Sequence, residues 1–155
     1  MKISHEELVN FLNAANKATY ANKKTPRSAS LRPSSEDYHF EQDNLVYHDT
    51  YFGTRDFLGE EIVYETKEPI WGMNYHGYVL DPDVSAKNAY AILRRALMQE
   101  YNDILPVRGP REYIEGTSTY ENQVEGTLDR FLGEERIYLA GRLIYCCWYH
   151  GGNIA

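Results

Sequence analysis

FLGEEIVYETKEPIWGMNYHGYVL, residues 57–80, aligns without a gap to FLGEERIYLAGRLIYCCWYHGGNI, residues 131–154. Ten of the twenty-four positions are identical, where unrelated segments share about one or two by chance. Replacements such as Val63 by Ile137 and Trp71 by Tyr145 keep the chemistry close. With one inserted residue the match reaches back, pairing Tyr47, Gly53, Thr54 and Asp56 with Tyr120, Gly126, Thr127 and Asp129. The chain therefore reads as two copies of one module, the first over about 4–80 and the second over about 81–155, within a single domain spanning 1–155.

Each copy opens on a helical pattern. Ser4-His5-Glu6-Glu7 has the form of a capping box, and Leu8, Phe11, Leu12, Ala15 and Ala18 follow at helical spacing, which predicts a helix over 5–20. At the start of the second copy, Ala89, Ile92, Leu93, Ala96, Leu97 and Tyr101 repeat that stripe. Residues 22–35 are rich in Lys, Pro and Ser and lack apolar anchors, so they read as a mobile surface loop. Tyr38 to Phe52 alternates as two strands around a Gln42-Asp43-Asn44 turn. FLGEE then opens a strand, Thr66-Lys67-Glu68-Pro69 or Ala140-Gly141-Arg142 turns it, and an aromatic run returns. The expected fold is α+β: a duplicated helix plus antiparallel β-meander, giving an antiparallel sheet with both helices on one face.

Composition narrows the function classes. Hydrophobic residues make up 43% and charged residues 25% of the 155 residues, the balance of a globular domain. No apolar run approaches the roughly eighteen residues of a membrane span, and acids interrupt the start, so a cytoplasmic protein without a membrane partner is expected. With a net charge of -7 and basic residues scattered apart from Lys23, Lys24 and Arg27, direct nucleic-acid binding is not expected either. Cys146 and Cys147 are neighbours, cannot form an ordinary disulfide with each other, and read as packing residues. Fourteen tyrosines supply both stacking surface and hydroxyls, although tyrosine is equally a strand former.

Matched polar positions supply the candidate site. On the first matched strand Phe57, Gly59, Glu61 and Val63 share a face opposite Leu58, Glu60, Ile62 and Tyr64. Because Arg136 stands where Ile62 does while Val63 stays apolar as Ile137, Glu61 and Glu135 belong to the more covered face. A covered acid needs a partner, which is a ligand, a neighbouring loop, or relief through a bulge at Gly59 or Gly133. His76 and His150 are also matched, each ahead of a glycine, and serve either as strand-end residues or as donors to a ligand. No HxxxH, CxxC, P-loop, GxSxG or strand-linked GxGxxG pattern occurs, so neither a metal nor a cofactor is expected and no residue is assigned a catalytic role.

The segments YHDTYFG, FLGEEIVY, IWGMNYHG, RGPREY and WYHGG, with ATYA near the start, resemble the bacterial family known as domain of unknown function 5680 over nearly the whole chain. Members of that family stand alone or follow a helix-turn-helix domain in regulators of the XRE type. The resemblance implies sensing or binding and carries no catalytic residues. The expected function is thus small-molecule binding, for sensing or sequestering, of a nucleotide-derived or other aromatic ligand near the join of the copies. The candidate ligand-binding residues are Glu61, Trp71, Tyr75, His76, Arg108, Glu135, Tyr145, Trp148, Tyr149 and His150. A hydrolase-like enzyme using Glu and His as acid and base, and a protein-interaction module, are the alternatives, and a homodimer stays open.

Overall fold

The computed structural model describes residues 3–155. Helix α1 (His5–Ala18) begins at the predicted capping box, with the Glu7 amide donating to Ser4 Oγ at 3.2 Å and the Ser4 amide to Glu7 Oε2 at 2.7 Å. Its stripe of Leu8, Phe11, Leu12 and Ala15 is buried. Four strands follow: β1 (Glu36–Gln42), β2 (Leu45–Gly53), β3 (Asp56–Glu65) and β4 (Glu68–Val79). Helix α2 (Ala86–Leu97) is capped by Ser85 and buries Ala89, Ile92, Leu93 and Ala96, while Tyr101 lies beyond its end. Strands β5 (Glu112–Glu115), β6 (Ser118–Thr127), β7 (Arg130–Leu139) and β8 (Arg142–Asn153) complete the chain.

All eight strands form one antiparallel sheet in the order β1-β2-β3-β4-β8-β7-β6-β5. The fold is α+β, with two helices and an eight-stranded antiparallel sheet among the described residues. The two meanders meet along β4 and β8, where Tyr75 pairs with Tyr149. Between β3 and β4 the turn falls on Thr66 and Lys67 (φ 50° and 74°), and between β7 and β8 on Ala140 and Gly141 (φ 50° and 78°). Two successive positive φ values match the twist of a two-residue hairpin. Gly53 and Gly126 hold φ of 93° and 102° at the ends of β2 and β6, where a side chain would run into the carbonyl of Asp56 or Arg130.

The register shifts fall between Val63 and Tyr64 and between Ile137 and Tyr138, not at Gly59 or Gly133. Alternation is therefore unbroken through Glu61 and Glu135, which are 4% and 0% exposed. One face of the sheet contributes Tyr47, Val63, Trp71, Tyr75, Tyr120, Ile137, Tyr145 and Tyr149 to a single hydrophobic cluster with both helical stripes. The other face leaves Leu58, Leu132 and Trp148 exposed.

Candidate functional site

Glu61 and Glu135 are buried on the core face with different neighbours. Each lies directly across the sheet from a polar residue, Asp49 on β2 for Glu61 and Asn122 on β6 for Glu135. Tyr75 donates its hydroxyl to Asp49 Oδ1 at 2.6 Å, and Tyr149 donates to Asn122 Oδ1 at the same 2.6 Å. The glycine of each FLGEE motif makes this reach feasible, since a Cβ at Gly59 or Gly133 would collide with the ring of Tyr75 or Tyr149.

Both carboxylate oxygens of Glu135 are satisfied from within the chain. Tyr120 donates to Glu135 Oε1 at 2.6 Å, Arg108 Nη2 to Oε2 at 2.9 Å and Tyr145 to Oε2 at 3.3 Å. The loop carrying Arg108 and Gly109 is tied into the same network. The Gly109 amide donates to the Tyr120 hydroxyl at 3.1 Å, and Asn122 Nδ2 donates to the Gly109 carbonyl at 2.8 Å. Tyr101 adds a hydrogen bond to the Arg108 carbonyl.

Around Glu61 the same face opens into a cavity of about 270 Å³. Its buried end is formed by Tyr47, Asp49, Glu61, Tyr75 and Arg108, its walls by Tyr20, Tyr51, Phe57, Tyr90 and Leu93, and its outer end by Arg27, Glu36, Lys87 and Arg94. Arg108 reaches Glu61 Oε1 only at 3.7 Å, and its guanidinium lies 5.5 Å from the Tyr75 ring centre. Glu61 Oε2 and Arg108 Nε have no hydrogen-bond partner. Three buried carboxyl groups, Asp49, Glu61 and Glu135, thus face one buried guanidinium. Burial, followed by the charge of Asp49, pushes the Glu61 carboxyl up to about 8, with Arg108 and the Tyr47 hydroxyl acting the other way. Burial likewise pushes Asp49 up to about 7 against the Tyr75 hydrogen bond and Arg108.

Of the residues singled out in the sequence, Glu61, Tyr75 and Arg108 line the cavity. Glu135, Tyr145 and Tyr149 lie outside its lining, in the filled network. Trp71 is fully buried and donates its indole N–H to the Leu128 carbonyl at 3.0 Å. His76, Trp148 and His150 are carried to the exposed face, because neighbouring residues of a strand point to opposite sides. There His76 packs edge-on to Tyr78, which packs against Trp148. A single site built from all ten is therefore not what the backbone permits.

Asp49 and the outer cations Lys87 and Arg94 were not among the sequence candidates. A signal for Asp49 did exist, since the alignment that pairs Tyr47 with Tyr120 also pairs Asp49 with Asn122. Among the described residues no group of three His, Cys, Asp or Glu side chains is arranged to hold a metal ion, and no helix is long and apolar enough to cross a membrane. Cys146 and Cys147 are buried and free, and burial pushes the Cys147 thiol up to about 12 against the pull of Arg108.

The loop over 22–35 reaches this region only in its first part, while its later part is tied to the opposite face of the sheet. Ala21 and Arg27 line the cavity, and Arg27 pairs with Glu36 at 2.8 Å. Further along, the Ser28 amide donates to the Asp37 carbonyl at 2.8 Å, the Leu31 amide to Asp37 Oδ2 at 3.4 Å, and Arg32 pairs with Glu60 at 2.7 Å.

A family model described as a domain of unknown function, DUF5680, matches residues 49–154. That stretch begins at Asp49 and takes in Glu61, Tyr75, Arg108 and Glu135, while α1, the loop and Tyr47 precede it. Comparisons with curated proteins and with solved structures found no match.

Proposed function

Because the chain belongs to the DUF5680 family, whose description assigns no activity, its function has to be read from the site, and we propose that it binds a small molecule in the cavity over Glu61. The observation that carries this reading is the buried Glu61 oxygen left without a partner in an aromatic-walled cavity. An unpaired buried polar group costs about 1–3 kcal/mol, which a bound ligand with a donor at that point would offset. We read the chain as a duplicated helix-plus-meander module with both helices over one face of the sheet. On that reading the second copy fills its own cavity with Val107–Gly109 and the first leaves its cavity for a ligand beside the join. The matched turns, register shifts and tyrosine hydrogen bonds support it.

Binding for sensing or sequestering is favoured over Glu–His acid–base chemistry because no histidine lines the cavity. The segment 22–35 is proposed to move with ligand entry, its first part more than the part tied to Asp37 and Glu60. Native mass spectrometry of the purified protein, beside a Thr54→Trp variant that fills the exposed rim, tests the reading. Wild type is expected to retain a noncovalent small molecule that the variant lacks. An empty wild type that no member of a metabolite library stabilises against heat contradicts it.

A further inference from the structure

The satisfied half of the molecule indicates what the open half takes. Glu135 is completed by a tyrosine hydroxyl and by a planar cation, the guanidinium of Arg108. Glu61 has the sequence-matched tyrosine, Tyr47, beside it, yet Arg108 gives it only a 3.7 Å approach on one oxygen and nothing on the other. Asp49 stands directly opposite, so the floor holds two carboxyl groups with a share of one cation. Like-charged groups across a strand pair repel, and a cation placed between them relieves both the repulsion and the missing hydrogen bond. Tyr20, Tyr51, Phe57, Tyr75 and Tyr90 supply faces on which a flat cation stacks.

The outer end has the opposite character. Arg94 lies 4.7 Å from the Tyr20 ring centre, its Nε has no hydrogen-bond partner, and among the described residues neither it nor Lys87 forms an ion pair. Arg27 differs, because Glu36 neutralises it. A purely cationic ligand would leave these two charges unanswered.

Building on the binding reading above, we infer that the cavity takes a zwitterionic small molecule. Its planar, protonated nitrogen head, of the amidinium or guanidinium class, sits on Glu61 and Asp49, and its anionic end meets Lys87 and Arg94. The head repeats on Glu61 what Arg108 does on Glu135. The anionic end fixes the orientation and disfavours simple amines.

Isothermal calorimetry on the full chain with three probes tests this: 4-amidinobenzoate, benzamidine and benzoate. The zwitterion is expected to bind tightest, benzamidine about tenfold more weakly, and benzoate not measurably. Glu61→Gln should weaken both amidines about tenfold or more while the melting temperature holds. Lys87→Ala with Arg94→Gln should bring 4-amidinobenzoate down to the benzamidine level and leave benzamidine unchanged. Benzoate binding as tightly as benzamidine overturns the inference. So does unchanged amidine affinity in Glu61→Gln, or no amidine binding at about 10 mM. If a neutral or anionic molecule is instead retained by wild type and lost from Thr54→Trp, the inference falls and the binding reading stands. If wild type is empty and nothing stabilises it, both fall.

Discussion

Glu61 and Glu135 occupy equivalent strand positions, and the chain treats them oppositely. At Glu135 both carboxylate oxygens are bonded: two tyrosines and Arg108 donate to them, and the Gly109 backbone bonds to Tyr120 and Asn122. Beside Glu61 a cavity stays open, one oxygen is unpartnered, and an acid, Asp49, stands where the other half has the uncharged Asn122. A buried carboxylate is therefore not itself a functional signal. On the proposed binding reading, what sets Glu61 apart from Glu135 is that the chain does not complete its hydrogen bonds.

The largest expected contrast is in stability. Glu135→Gln removes the anion from a completed ion pair and leaves Arg108 buried with no carboxylate at hydrogen-bond distance, which should cost about 3–5 kcal/mol. Glu61→Gln should change stability by less than about 1 kcal/mol, because no short hydrogen bond to a cation is lost. Urea denaturation of both variants decides this, and equal losses would show that the two glutamates support the fold alike.

A smaller effect is expected when the first half is made to imitate the second. In the folded protein Asp49 keeps its proton up to about pH 7, whereas an unfolded aspartate ionises near pH 4. Its favourable contribution is therefore complete below about pH 4 and is lost as pH rises through about 7. Asp49→Asn cannot ionise, and an amide oxygen can still accept the Tyr75 hydroxyl, as Asn122 does from Tyr149. The variant should be more stable than wild type at pH 8 and nearly equal to it at pH 4, measured by denaturant midpoints. An equal effect at both pH values would remove charge as the difference between Asp49 and Asn122.

The least effect concerns the hairpins. Lys67 holds φ of 74° where the other hairpin has Gly141 at 78°. Lys67→Gly should relieve left-handed strain and raise stability by about 0.5–1 kcal/mol. A loss of stability in a thermal melt would show that the lysine side chain contributes more than its backbone costs.

Much of the scaffold was legible in the sequence. The capping box starts α1, the turns fall at Thr66 and Ala140, and Arg136 at the position of Ile62 correctly placed both glutamates on the covered face. The site was legible only in part. Strand alternation already separated His76, Trp148 and His150 from Tyr75 and Tyr149, so grouping them as one site required side chains from two faces to converge. The cavity itself could not be read, because it depends on where the loop around Arg108 settles. That loop bonds to Tyr120, Asn122 and Glu135 through contacts far apart in the chain. The family match likewise spans both glutamates without distinguishing them.

The most direct test follows both glutamates in one sample, by NMR of protein carrying ¹³C at the glutamate side-chain carboxyl, with Glu61 and Glu135 assigned through their Gln variants. On addition of benzamidine at neutral pH, the Glu61 signal should move to the ionised position as the bound cation draws off its proton. The Tyr47, Asp49, Tyr75 and Arg108 groups around it should stay in place, and the Glu135 signal, already completed by Tyr120 and Arg108, should stay nearly still. Two glutamate signals that shift together, or a Glu61 signal that never moves, would contradict the account.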